Sequence, residues 1–190
     1  MASNLRIWRR PWEVQPQSGV TLSPIWQERG LVGAWGMESA GLWRNIARNS
    51  GVGDLTSTNA TRTATPYGIA TALNGSSAFL TNTAQTAVTQ LPVTFFARVY
   101  IGASKAARIF DISTGTTAND VIGIQQNSNG LRAQHYDGSN EGYAEIVNAG
   151  NIGRWITVAA VFDGLSSRAI YVDGGAQSAT NGTSVVAPSG

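Results

Sequence analysis

An alternating run at residues 93–101 constrains the fold of this chain more than any other feature. Side chains alternate between the two faces of a β-strand, so this pattern predicts a strand with one face in a core. The positions expected to be more exposed are Thr94, Arg98 and Tyr100, and Phe96 breaks the alternation. The positions expected to face the core are Val93, Phe95, Ala97, Val99 and Ile101.

Other short strand patterns follow at the spacing of an all-β domain. The stretch 155–162 is apolar on nearly both faces, which predicts a central strand paired with residues 169–174 across the turn 163–168. No long helical pattern separates the segments, so the sequence predicts an all-β, antiparallel, two-sheet sandwich. The remaining expected strands are 31–37, 70–74, 78–82, 108–113, 121–126 and 131–136.

Three local patterns carry more specific expectations. The sequence Asn74-Gly75-Ser76-Ser77 is typical of a hairpin turn and predicts that the strands on either side of it pair. Residues 42–51 end in glycine and predict a short helical turn. Residues 173–175 read Asp-Gly-Gly and predict a β-turn, because glycine readily adopts positive φ.

Composition excludes several classes of function. The chain has no cysteine, which excludes disulfides, thiol catalysis and cysteine-based metal sites, and its one histidine, His135, excludes sites that need two. A net charge of +2 is too small to predict nucleic-acid binding. No apolar run is long enough to predict membrane insertion, and charged residues interrupt the start of the chain where a secretory leader would need apolar ones.

Residues 1–27 differ in composition from the rest of the chain. Prolines at positions 11, 16 and 24 prevent a helix and predict extended segments. Such an arm is expected to bury aromatic anchors against a partner, although folding back onto its own domain would also explain it. The expected partner-docking residues are Trp8, Trp12, Trp26, Arg6, Arg9 and Arg10.

The hairpin at residues 155–174 resembles a known family. Its tryptophan, Val-Ala pair, Asp-Gly turn and terminal Tyr-Val-Asp-Gly are similar to the laminin-G-like, concanavalin A-like jelly rolls, and residues 30–35, 73–80 and 93–99 resemble further strands of that family. The resemblance covers residues 30 to 187 and implies a jelly roll over residues 28–190. Family members continue past this hairpin with an apolar return strand and a closing stretch, so the resemblance also raises the expectation that the last strand is missing.

The opening of the chain resembles those of bacteriophage and prophage proteins that carry this jelly roll. The similar residues are Trp8-Arg9-Arg10-Pro11-Trp12, Arg29-Gly30-Leu31-Val32 and Leu42-Trp43-Arg44-Asn45. This resemblance implies a virion structural protein of the capsid or tail surface, assembled in the host cytoplasm. The implied partners are other virion proteins or further copies of this chain.

The same fold includes glycoside hydrolases, whose chemistry requires two convergent carboxylates. Glu141 and Glu145 are the nearest match, but Tyr143 stands where the middle acid of the family pattern belongs. Positions four residues apart on an ideal strand are about 13 Å apart. The sequence therefore predicts no catalytic residues and no enzyme, with both glutamates solvated.

Other candidate sites are weaker. His135 has no accompanying nucleophile motif, so a structural or surface role is expected. No cofactor is predicted, and Ca²⁺ stays open through either Asp137 with Asn140 or Asp163 with Asp173.

Exposed aromatic side chains beside amides and carboxylates are typical of sugar-binding sites. The sequence offers one local cluster of this kind, which consists of Tyr136, Asp137, Asn140 and Tyr143. Three hypotheses therefore remain: a non-catalytic virion structural protein, a carbohydrate-binding module for host-glycan adsorption, and, least favoured, a glycoside hydrolase. The fold alone does not choose among them.

Overall fold

The protein is all-β and antiparallel, as its sequence predicts. The computed structural model describes residues 33–37, 43–45, 53–82, 91–113, 121–128, 130–147 and 152–183. Throughout these residues the regular secondary structure is β-strand, and every strand pair is antiparallel. Within the same residues, no helix could cross a membrane. The chain divides by its internal contacts into two compact units, residues 1–87 and residues 88–190.

The described part of the first unit consists of short strands in three separate pairs. The strands are β1 (Trp35–Met37), β2 (Trp43–Asn45), β3 (Thr56–Thr58), β4 (Thr61–Thr65), β5 (Gly68–Ala72) and β6 (Phe79–Thr81). Strand β1 pairs with β2, β3 with β6, and β4 with β5.

Two local predictions in this unit are wrong. The helical turn expected at residues 42–51 is instead strand β2 in its described part, because the backbone there pairs with β1 and the Trp43 indole N–H donates to Thr71 Oγ1 at 2.8 Å. The hairpin expected around Asn74 does not form, since β5 and β6 each pair with another strand. The Asn74 side-chain oxygen instead accepts hydrogen bonds from the backbone N–H groups of residues 76, 77 and 78, which turns the chain without pairing its flanks.

The second unit contains one eight-stranded sheet in the order β7-β12-β13-β14-β11-β10-β9-β8. The strands are β7 (Val93–Ile101), β8 (Ala107–Ser113), β9 (Val121–Gln126), β10 (Gly130–Tyr136), β11 (Glu141–Val147), β12 (Arg154–Phe162), β13 (Arg168–Val172) and β14 (Gly175–Asn181). The strands expected at residues 93–101 and 121–126 have the predicted bounds.

Strand β14 divides this sheet into two halves. Its first residues pair with β13, and Ala179 and Asn181 pair with β11 across a register shift beside Tyr143. The inner faces of the halves meet in one apolar core, so the unit is sandwich-like. Strand β14 also occupies the position directly after the 155–174 hairpin, where a return strand is expected.

The core confirms the alternation at residues 93–101. Phe95 and Ile101 are buried, and the other predicted core positions, Val93, Ala97 and Val99, are partly buried. Phe96 is 70% exposed. Strand β12 lies between β7 and β13, as its apolar composition predicts, and contributes four fully buried side chains. These are Ile156, Val158, Ala160 and Phe162.

The turn between β13 and β14 also agrees with its sequence. Asp173 and Gly174 have φ values of +48° and +89°. Two consecutive positive φ values are typical of the tight hairpin turns that match the twist of paired strands. This turn places Asp173 beside β12, where its backbone N–H donates to the Thr157 carbonyl.

Candidate functional site

The outward face of β10 and β11 carries a continuous set of polar side chains, here called the polar face. Along β10, the polar side chains of this face alternate with side chains that lie in the core, such as Leu131 and Ala133. The strand register sets three pairs opposite each other on the polar face: Arg132 with Glu145, Gln134 with Tyr143, and Tyr136 with Glu141.

Arg132 contacts side chains of all three pairs on the polar face. Its Nε lies 3.2 Å from Glu145 Oε2, and its Nη1 lies 3.4 Å from Glu141 Oε1. Its guanidinium carbon also lies 4.1 Å from the centre of the Tyr143 ring, within the range of a cation–π contact. One arginine therefore links both glutamates and the tyrosine between them.

Amide side chains complete the hydrogen bonding of these carboxylates. Gln134 Nε2 donates to Glu141 at 2.8 Å, and Asn127 Nδ2 donates to Glu145 at 3.0 Å. The Glu145 side chain is only 17% exposed. The expectation that the glutamates are solvated is wrong for Glu145, whereas the Glu141 side chain is 36% exposed. The pairing of β10 with β11 brings Arg132 between the two carboxylates.

This arrangement suits binding better than acid–base chemistry. A glycosidase requires a carboxylic acid that donates a proton to the leaving group and a second carboxylate on the other side of the scissile bond. On the polar face, Glu141 and Glu145 instead accept hydrogen bonds from an arginine and from amides. Tyr143 stands between them on β11, so the strand offers no third acid to orient either one.

The structure divides the predicted sugar-binding cluster. Asp137 Oδ1 accepts hydrogen bonds from the backbone N–H groups of Ser139 and Asn140 at 3.0 and 2.7 Å, which shapes the β10–β11 turn. Tyr136 Oη donates to a carbonyl of the same turn at 2.8 Å. Tyr143 lies further along β11, beneath Arg132. Tyr136 and Tyr143 thus share the polar face, whereas Asp137 and Asn140 build the turn at its end.

The structure separates one pair of candidate calcium ligands and gives Asp173 a structural role. Asp163 and Asp173 follow opposite ends of the β12–β13 ladder, so they do not share a site. Asp173 Oδ1 accepts the Thr157 N–H at 2.8 Å and its Oδ2 lies 2.5 Å from Arg154 Nη1. In the part of the chain that the structure describes, no group of three potential metal ligands comes together.

Two basic side chains lie inside the second unit. His135 is 1% exposed and its ring meets that of Phe162 edge-on, with centroids 6.2 Å apart. The sequence expectation of a structural or surface role for His135 agrees with this position. Arg168 was not singled out by sequence analysis, yet it is 3% exposed. The sequence feature that could have predicted its burial is its spacing, because Arg168 falls on the same face of β13 as Ile170 and Val172.

Arg168 binds backbone carbonyls instead of a carboxylate. Its Nη1 donates to Asn181 O at 2.9 Å, and its Nη2 donates to Leu165 O at 2.7 Å and Thr183 O at 3.0 Å. Burial lowers the pKa of Arg168, because water no longer stabilises the charged guanidinium. Arg168 thereby fastens the end of β14 to the loop that precedes β13.

The predicted partner-docking residues all lie outside the described residues. These are Arg6, Trp8, Arg9, Arg10, Trp12 and Trp26. The boundary at residue 27 lies there too, so the arm remains a prediction of the sequence.

Comparison with known proteins assigns no family. The sequence matches no protein-family model, and neither the curated proteins nor the solved structures give a significant match.

Proposed function

We propose that the protein is a non-catalytic structural component of a bacteriophage virion. In this role, residues 88–190 contribute to a lectin-like jelly roll displayed at the capsid or tail surface, and residues 1–27 anchor it. The observation that carries the non-catalytic part is the position of Arg132 between Glu141 and Glu145. The virion assignment is supported by the resemblance of the opening sequence to phage proteins.

The composition of the arm supports an anchoring role. Burial of one large apolar side chain contributes about 1.5–3 kcal/mol, and the arm contains Trp8, Trp12 and Trp26. Prolines reduce the conformational freedom that an extended segment loses on docking. Arg6, Arg9 and Arg10 add the capacity for paired hydrogen bonds to carboxylates of a neighbouring protein or of another copy of this chain.

Deletion of residues 1–27 tests this proposal. We expect the truncated chain to be lost from assembled particles, although the purified truncated chain keeps the far-UV circular dichroism spectrum of the full-length chain. A full-length chain with Trp8→Ala and Trp12→Ala should show reduced incorporation, and a Leu165→Ala chain serves as the matched control. Undiminished incorporation of the truncated chain would refute the anchoring role.

A second candidate function is carbohydrate binding for adsorption to host glycans. The observation that favours it is the Arg132–Tyr143 stack, with Tyr136 and Gln134 on the same half-exposed face. Rings and amide groups side by side can contact both the apolar faces and the hydroxyl groups of a sugar. Glycan-array binding that is abolished by Tyr136→Ala would establish this function, and an array without binding would exclude it.

A further inference from the structure

The outward face of β7, β12 and β13 is aromatic where the alternation of a half-buried sheet would place polar residues. We call this surface the aromatic face and define it by Phe96, Tyr100, Trp155 and Tyr171. Phe96 is 70% exposed, Tyr100 53% and Tyr171 36%, and Trp155 is half-buried. Large exposed apolar side chains that gather on one surface indicate a binding site.

Strand register arranges these rings in two rows. Phe96 lies opposite Ala159, and Ala159 lies opposite Tyr171, so a small residue separates two exposed rings. Two strand spacings place Phe96 and Tyr171 about 10 Å apart. In the second row, Tyr100 lies opposite Trp155 and their ring centroids are 5.8 Å apart.

A polar row lies between the two aromatic rows. Arg98 lies opposite Thr157, and Thr157 in turn meets Asp173 through two hydrogen bonds. Asp173 also forms an ion pair with Arg154, which lies opposite Ile101 at the start of β12 and therefore belongs to the other face of that strand. The aromatic face therefore alternates rings, hydrogen-bonding groups and rings along the strand direction.

We infer that the aromatic face binds a linear polysaccharide. A pyranose ring has apolar C–H faces and a rim of hydroxyl groups, which match the aromatic rows and the polar row. The separation of Phe96 from Tyr171 is comparable to two linked pyranose rings, so one extended chain can contact both. This inference rests on the proposed binding role of the displayed unit and is independent of its anchoring.

The charges on the aromatic face argue against an apolar protein surface as its occupant. Such a partner would remove Arg98 and Asp173 from water, which is costly for charged groups without excellent new partners. A polysaccharide leaves these groups hydrated and offers them hydroxyl groups. A second copy of this chain is the alternative occupant, and the test below distinguishes it.

The test is native affinity electrophoresis of the purified full-length chain in gels that contain hydroxyethylcellulose, amylose or alginate. We expect at least one polysaccharide to retard the chain, and we expect Phe96→Ala to weaken that retardation at least tenfold. Phe96→Tyr should retain binding because it keeps the ring. Leu165→Ala, at an exposed apolar residue of the β12–β13 loop, is the matched control and should bind as the unaltered chain does.

Three outcomes would overturn the inference. The first is no retardation by any of the three polysaccharides. The second is retardation that Tyr143→Ala abolishes and Phe96→Ala leaves intact, which would assign binding to the polar face. The third is a Phe96→Ala chain whose oligomeric state changes in size-exclusion chromatography without loss of retardation. Because the assay uses no particle, each of these outcomes leaves the virion role to its own incorporation experiment.

Discussion

The guanidinium of Arg168 lies against the backbone of Gly142, in the space that any side chain at position 142 would occupy. Gly142 belongs to β11 and Arg168 to β13, so this contact joins the two halves of the sheet. The three carbonyls that Arg168 binds leave it little freedom to move aside. The absence of a side chain at position 142 is thus a condition for burying the arginine.

Gly142→Ala should therefore destabilise the protein by about 1–3 kcal/mol, the usual cost of overpacking a core. Urea denaturation monitored by tryptophan fluorescence measures this change. Gly164→Ala is the matched control, because a Cβ at position 164 meets nothing within 4 Å. Equal stability of the two variants would show that Arg168 can shift at no cost.

Phe95 and Phe96 are sequence neighbours with opposite environments and form a natural matched pair. Phe95 is 6% exposed and its ring lies 5.1 Å from Phe110 and 5.8 Å from Phe162. Phe95→Ala should cost about 3–5 kcal/mol through lost burial and a cavity, and Phe96→Ala no more than about 0.5 kcal/mol. Thermal and urea unfolding of both variants checks this. Similar losses would contradict the assignment of faces on β7.

Asp173 should make a small contribution to the free energy of unfolding, and this contribution should be lost at acid pH. The Thr157 N–H, followed by Arg154, lowers the pKa of Asp173 below its ordinary value of 3.8, and burial acts in the opposite direction. A lowered folded-state pKa means that the contribution is complete above that ordinary value and is lost as pH falls through the folded-state pKa. Because the ion pair is exposed, we expect less than about 1 kcal/mol at neutral pH.

Asp173→Asn removes this titration and keeps a residue type that tolerates positive φ. Unfolding curves from pH 7 to pH 3 should show the unaltered chain as the more stable of the two at pH 7. Its advantage should shrink as the pH falls below about 4. Parallel pH dependence of the two chains would show that Asp173 contributes no such stability.

The purified chain should not hydrolyse β-glucans, since Glu141 and Glu145 both pair with Arg132. Reducing-sugar release after long incubation is the measurement, and a chain with Glu141→Gln and Glu145→Gln is its control. Turnover that disappears in the control would show that these carboxylates are catalytic after all.

Local pattern predicted six of the eight strands of the second unit and missed β11 and β14. The alternation at 93–101 and the apolar run at 155–162 report burial directly, so their core faces could be predicted from the sequence. The first strand has the predicted bounds, and the second begins one residue earlier, at Arg154. The sequence did not predict which strands pair with each other, because Asn74 favours a turn whether or not the strands on either side of it pair. The short strand at Trp43–Asn45 likewise depends on pairing with β1, which a local helical pattern does not reveal.

In the candidate sites, too, residue types could be predicted from the sequence, whereas contacts that depend on strand pairing could not. Tyr136 and Tyr143 were predicted as potential ligand contacts from their residue types, and register places both on one face. The role of Arg132 depends on β10 pairing with β11, so a list of residue types misses it. Arg168 is a basic residue in a buried position, and only the carbonyls around it explain why the fold accepts it there.

The dual pairing of β14 has a consequence for how the second unit forms during synthesis. Strands β7 to β13 leave the ribosome first, but the sheet is continuous only when β14 pairs with β13 on one side and β11 on the other. Until then, the nascent chain exposes two open strand edges that other chains could pair with. Completion of this sheet must therefore await emergence of the whole segment up to Asn181, which makes it a late event in synthesis.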